Sequence, residues 1–131
     1  MIEFFMPMQP PTATHQMKKV RVMNGKPQFY EPDKVTAARK KLTAHLGKHK
    51  PERPMKGPLR LVTKWCFPLV PGKRDGQWKD TRPDTDNLVK LLKDCMTALG
   101  FWEDDARVAS EITEKFWAAV PGIYVQVEEL E

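Results

Sequence analysis

The chain has 131 residues, 40% of them hydrophobic and 30% charged, and a net charge of +5. That length argues for one domain with a real core, the composition excludes a disordered chain, and no apolar run approaches the ~20 residues of a membrane span. The two cysteines, Cys66 and Cys95, sit in apolar runs with no Cys-x-x-Cys or Cys/His cluster, so two reduced, buried thiols are expected and a structural zinc site is not.

The charge is unevenly distributed. Residues 1–60 hold 13 Lys/Arg against 4 Asp/Glu, a surplus of +9, and residues 61–131 hold 9 against 13, a balance of −4. A basic half favours a polyanion such as nucleic acid as partner, although a solvated lysine-rich surface has the same composition. The N-terminal MIEFFMPMQPP is apolar but carries Glu3 and has no basic lead-in, so it is not expected to be a signal peptide, and the cytoplasm is the expected compartment.

In chain order, Ile2–Met8 reads as a first, largely apolar strand, expected to be central or packed on both faces and ended by Pro10-Pro11. Met17–Met23 reads as a second strand, Asn24-Gly25 as a hairpin turn, and Lys26–Tyr30 as a return strand kept to an edge by Pro27. Pro32-Asp33 opens a helix running to about Leu46, with Val35, Ala38, Leu42 and Leu46 at helical spacing and Gly47 as its stop. Residues 47–58 are a basic, proline-rich loop, Leu59–Pro68 a further strand, and residues 71–81 a mobile exposed loop. The second helix is the sharpest element: Leu88, Leu91, Leu92, Cys95 and Leu99 form one stripe, and Gly100 stands where a left-handed cap belongs. Val108–Trp117 and Ile123–Val127 read as a last pair of strands joined as a hairpin at Pro121-Gly122. The expected fold is α+β in a single domain, 1–131: a mixed sheet of about five or six strands with two main helices.

The chemistry concentrates in acids around the second helix. In Arg82-Pro83-Asp84-Thr85-Asp86-Asn87, Pro83 keeps Asp84 at or before the first turn. Residues i and i+2 of an extended segment point to one side, so Asp84 and Asp86 can present two carboxylates together. Such a pair repels unless a cation lies between, and hard oxygen donors select magnesium or manganese. Capping accounts for the same residues, since Asp and Asn are favoured at helix starts, but one cap needs only one of them. Lys90, four residues after Asp86, shares its face, with Lys93, Asp94 and Thr97 continuing it. This is either a surface ion pair or an ammonium placed to stabilise charge on a phosphate. Glu103-Asp104-Asp105 follows Phe101-Trp102 in a turn that apolar neighbours would hold rigid. It serves as a loop cap or contributes a third carboxylate, for which Asp105, next to the strand, is the better placed. His15, His45 and His49 have no partners at ligand spacing, and there is no glycine-rich phosphate loop or nucleophile elbow.

The run RPDTDNLVKLLKDCMTALGFWEDDARV resembles the central signature of the RusA-type Holliday junction resolvases: Asp-x-Asp-Asn-Leu, a Lys three residues after the Asn, an Asp four residues later, and an aromatic-rich turn ending in Asp-Asp. These elements stand here as Asp84, Asp86, Asn87, Leu88, Lys90, Asp94 and Asp104-Asp105, and PPTATHQ, FYEP and Lys115 fit the wider pattern more loosely. The resemblance implies a RusA-like fold and a structure-selective endonuclease, often phage- or prophage-borne, acting in DNA recombination and repair. It would cut four-way junctions as a homodimer with magnesium, for which manganese substitutes, and with no small-molecule cofactor. It implies that Asp84, Asp86 and Asp105 hold the metal, that Lys90 assists catalysis and that Asp104 contributes. On this reading an activated water attacks the phosphodiester and leaves a nick with a 5′-phosphate. A C2 dimer places one site on each of two opposed strands, and Lys18, Lys19, Arg21, Lys73, Arg74 and Lys79 hold backbone phosphates. Trp78 either stacks on an exposed base or packs as a shield. The alternatives are a non-catalytic basic DNA-binding module, in which the acids are caps, and a metal-dependent enzyme on a small phosphorylated substrate, against which the basic half argues.

Overall fold

The computed structural model describes residues 1–12, 19–23, 25–30 and 33–131, with 19–23 and 26–30 described as backbone. The elements run β1 (Ile2–Pro7), β2 (Lys19–Met23), β3 (Lys26–Tyr30), α1 (Asp33–Leu46), β4 (Leu59–Pro68), α2 (Thr85–Leu99), β5 (Val108–Ala118) and β6 (Gly122–Glu129). Short 3-10 turns follow α1 at Gly47–His49 and precede β5 at Asp105–Arg107. The α+β class is as expected. Among the described residues the mixed sheet has four strands rather than five or six, in the order β1-β6-β4-β5, so β1 is an edge strand with one buried face and not a central one, and β2 and β3 pair with each other.

Alternation makes one face of this sheet apolar. Leu59, Leu61, Thr63, Trp65 and Phe67 of β4 are buried while Arg60 and Lys64 between them are exposed. Phe4 and Met6 of β1, and Ile123, Val125 and Val127 of β6, join the same side. Val35, Ala38, Leu42 and Leu46 of α1, and Leu88, Leu91, Leu92, Cys95 and Met96 of α2, complete one core with it. The opposite face stays polar, as an antiparallel-type sheet with one solvated side permits: Tyr124 donates to Glu3, and Arg60 pairs with Glu128. The two cysteines are not joined in a disulfide; Cys95 is buried and Cys66 half-buried.

The topology corrects one expectation. β5 and β6 are not a hairpin: β4 lies between them, parallel to β5 and antiparallel to β6. Parallel neighbours cannot be joined by a tight turn and need a crossover of a dozen or more residues, usually a helix. α2 is that crossover, so β4–α2–β5 is a βαβ unit. The chain from Ala118 to Gly122 then passes over the end of β4. Gly122 is required there, because a Cβ would collide with the Phe5 ring and meet the Met6 carbonyl at 2.6 Å.

A second correction concerns residues 71–81, which are largely exposed but tied to the free edge of β5. Gly76 and Lys79 donate their backbone N–H groups to Trp117 and Lys115, Trp117 donates back to Gln77, and the Ala119 N–H donates to the Asp75 carboxylate. The segment works as a short extra edge pairing, with Trp78 opposite Phe116.

Gly122→Ala is expected to destabilise by roughly 1–3 kcal/mol, the usual range for overpacking. Gly47→Ala, with nothing within 4 Å of its added carbon, leaves the unfolding midpoint unchanged or slightly raised. Thermal or urea melts of the two variants check this.

Candidate active site

Asp84 is the N-cap residue of α2, with extended dihedrals (φ −73°, ψ 145°), and its carbonyl accepts the first helical bond from Leu88 at 3.2 Å. Its side chain makes no capping hydrogen bond. A capping aspartate normally turns back onto the N–H groups of the first turn. Here the carboxylate is exposed, with Asp86 exposed two residues on and Lys90 exposed one turn further. The capping account of the Asp-x-Asp pair is therefore not realised at Asp84.

Two lysines hold the segment that leads into this cap. Lys115 of β5 donates its ammonium to the carbonyls of Thr81 (2.5 Å) and Pro83 (2.7 Å). Lys79 donates to the Thr81 hydroxyl (2.5 Å) and the Arg82 carbonyl (2.7 Å). Lys79 is 8% exposed, with its ammonium 4.3 Å from the Trp117 ring centre and 5.2 Å from that of Phe67. Burial, and then the charge of Lys115, pull its pKa below the ordinary lysine value. Lys79 is expected from the sequence to hold a backbone phosphate; here two of its ammonium hydrogen bonds go to the protein itself, to Thr81 and Arg82.

The acidic turn is built at the other end of α2. Gly100 adopts φ 87° and closes the helix with its N–H on Met96 and Thr97, and Phe101 and Trp102 enter the core. The Trp102 indole donates to Thr97 Oγ1 at 2.7 Å, and Thr97 Oγ1 donates to the Lys93 carbonyl at 2.9 Å, fastening the turn to the helix. Asp104 caps the following 3-10 turn, accepting from the Ala106 N–H at 3.0 Å. That bond, followed by one with Asp105 and the nearby Arg107, pulls its pKa below the usual carboxylate value. Asp105 is half-buried at the mouth of β5.

The two acidic groups lie far apart within one chain. α2 runs antiparallel to β5: Lys115 reaches the turn before the helix, Lys93 in mid-helix pairs with Glu111 at 2.8 Å, and the turn after the helix leads into Val108. The helix from Thr85 to Leu99 rises about 21 Å, and the strand from Val108 to Lys115 spans about 23 Å. Asp105 is thus on the order of 20 Å from Asp84. Among the described residues no three His, Cys, Asp or Glu side chains gather into a metal-holding group.

A model of the family described as Endodeoxyribonuclease RusA matches residues 7–128. The chain belongs to this family. It is 38% identical over 98 residues to the crossover junction endodeoxyribonuclease rusA of Lactococcus phage r1t, covering 73% of each chain. It is 26% identical over 120 residues to the uncharacterized protein YqaN of Bacillus subtilis (strain 168), covering 83% of this chain and 84% of that one.

Basic residues of this RusA-family chain stand near both ends of α2. Half-buried Lys73 and exposed Arg74 lie in the edge segment that leads towards Asp84. Lys18 lies outside the described residues, and Lys19 and Arg21 are described only as backbone positions of β2. Trp78 is 62% exposed and packs one ring on Phe116 at 4.5 Å. Sequence reasoning missed a groove of about 470 Å³ beside the acidic turn, lined by Arg53, Pro54, Met55, Lys56, Gly57, Glu103 and Arg107. Its walls are joined by the Met55 N–H on the Phe101 carbonyl at 2.7 Å. The basic, proline-rich composition of residues 47–58 was the one signal available, and it did not say which acids that loop would face.

Asp84→Asn is expected to unfold close to wild type, because no cap is removed, whereas Asp104→Ala lowers the melting midpoint. The effect of Asp104 is pH-dependent. Its folded pKa is depressed, so its stabilisation is present above the ordinary carboxylate pKa and disappears as pH falls through the lowered folded value. The wild-type and Asp104→Ala melts should therefore differ at neutral pH and converge in acid.

Proposed function

We infer that the protein is a structure-selective endodeoxyribonuclease that resolves four-way (Holliday) DNA junctions by divalent-metal-dependent phosphodiester hydrolysis, in recombination and repair. The observation that carries this reading is the uncapped Asp84 carboxylate, two residues from exposed Asp86, in a chain of the RusA family. The name of the phage relative supports the junction as substrate. The whole described chain acts as one RusA-like endonuclease unit. The proposed place of action is the cytoplasm, where such DNA is processed.

Asp84 and Asp86 offer hard oxygen donors at a helix start that leaves them free, which suits Mg2+, with Mn2+ as substitute. A bound divalent cation would supply a nucleophilic water near neutral pH and neutralise phosphate charge. Lys90, one turn beyond Asp86, sets an ammonium against the phosphate whose charge grows as the bond breaks. Asp105 is the third carboxylate, and Asp104 orders the turn that presents it. Since one chain holds Asp84 and Asp105 about 20 Å apart, a site containing both takes them from two chains. This supports a homodimer in which Asp84 and Asp86 of one protomer face the partner's Asp105. C2 symmetry then yields two such sites for two opposed strands. Arg53, Lys56 and Arg107, grouped beside Asp105, provide a phosphate path into each site, with Lys73 and Arg74 at the other end of the helix.

Wild-type protein with Mg2+ is expected to nick a synthetic four-way junction in pairs, and Asp84→Asn to bind the junction but leave it whole. A junction left uncut by wild type, or cleavage confined to mononucleotides, overturns the function. Mixing Asp84→Asn with Asp105→Asn chains tests the shared site. A mixed dimer then carries one site with both substitutions and one intact site, so single nicking returns; sites within one chain would leave every mixture inactive. Arg53→Ala/Lys56→Ala is expected to weaken junction binding and reduce the slope of log affinity against log salt by roughly 1–2, at ~0.9 for each phosphate no longer neutralised.

A further inference from the structure

Three carbonyls in succession, those of Thr81, Arg82 and Pro83, accept from the ammonium groups of Lys115 and Lys79. The two lysines come from β5 and from the segment along its edge: Lys79 binds its near neighbours Thr81 and Arg82, while Lys115 reaches the same turn from a strand far along the chain. They bring two like charges close enough for Lys115 to depress the pKa of Lys79. Two neighbouring cations, one of them only 8% exposed, are an unfavourable way to tie down a loop that a backbone turn or a neutral side chain could hold. Beyond the grip lies Asp84, an N-cap residue whose carboxylate does not cap.

We propose that Lys115 and Lys79 are positioning residues for the metal-binding carboxylates: by holding the carbonyls of Thr81, Arg82 and Pro83 they fix the turn that presents Asp84 with its side chain free. This rests on the endonuclease reading above, and it goes beyond that reading by assigning a function to two lysines outside the acidic motif. An aspartate at an N-cap gains by folding its side chain onto the first-turn N–H groups. That takes a rotation about χ1 and orders the residue through its own side chain. With the three preceding carbonyls immobilised, the backbone entering Asp84 is set independently of its side chain, and the carboxylate remains available to a cation. The two ammonium groups also place positive charge behind a segment that must bring two carboxylates together.

The test uses Lys115→Met, which keeps the side-chain length and removes the donors, with Lys115→Arg and Lys79→Met beside it. Mn2+ binding to the full chain is read by electron paramagnetic resonance, alongside junction affinity without metal, cleavage against Mg2+ concentration, and a melt. The expected result for Lys115→Met is Mn2+ binding weakened about tenfold, at the lower end of what removing a ligand-orienting partner costs. The Mg2+ needed for half-maximal cleavage should rise in step, while junction affinity stays near wild type. Lys115→Arg should restore part of the binding. In an Asp84→Asn background, Lys115→Met should weaken Mn2+ binding no further, since both act on one ligand. A folded Lys115→Met that binds Mn2+ as wild type does, or whose effect adds fully to that of Asp84→Asn, overturns the proposal. Failure of both Lys115→Met and Lys79→Met to fold also overturns it, because the lysines then serve the fold alone. Wild type measured alongside keeps the two readings separate: if wild type neither binds Mn2+ nor cuts the junction, the endonuclease assignment itself falls.

Discussion

The packing of α2 along β5 is the constraint on which the rest depends. The helix connects two parallel neighbours, β4 and β5, and must therefore run back along them. Its apolar stripe, Leu88, Leu91, Leu92 and Cys95, is buried against the sheet, and the Lys93–Glu111 pair and the Lys115 hydrogen bonds align it with β5 along its length. One consequence is that its first residue lies at the finishing end of both strands and its last residue at their starting end. The acids before the helix and those after it are thereby held apart by the helix's own length. The two acidic groups of one chain therefore do not meet among the described residues, and under the function proposed above each would be completed by a second copy, in keeping with the symmetry of a four-way junction.

The two acidic groups solve opposite local problems. Asp104 follows the ordinary rule for an acid at a helical start: its carboxylate takes an N–H, its pKa falls, and its turn is rigid. Asp84 occupies the equivalent place on a longer helix and does not follow the rule. The difference lies in what precedes each residue. The acidic turn is fastened by core aromatics and the Trp102–Thr97 bond, so its cap adds order to a short turn. The segment before α2 is fastened through its carbonyls by Lys79 and Lys115, and order is supplied without the carboxylate.

The carboxylates, the helix that separates them and its C-terminal glycine were legible from the sequence because each rests on local chemistry. Pro83 sets where a helix can start, the leucine spacing sets its length and inner face, and Gly100 relieves the left-handed cap that ends it. The RusA resemblance rests on the same contiguous run. Alternation was equally readable in β4, since a strand's inner face depends on its own residues. Strand partners are a different matter. Pro121-Gly122 between two apolar runs has the local form of a hairpin, and only the insertion of β4, which buries five side chains from one face, decides that β5 and β6 do not pair. Lys79 likewise reads as one more surface cation until the Phe67 and Trp117 rings close over it.

The sequence by itself determined which residues are acidic, where α2 starts and stops, and to which family the motif points, because these follow from neighbours a few positions apart. Tertiary structure alone decided that β4–α2–β5 is a parallel crossover, that Asp84 and Asp105 stand at opposite ends of it, and that Lys79 and Lys115 close on one turn. Apart from the bonds of Lys79 to its neighbours Thr81 and Arg82, those facts depend on pairings between residues tens of positions apart, where the free energy is set by burial across the whole sheet and leaves little mark on any short segment.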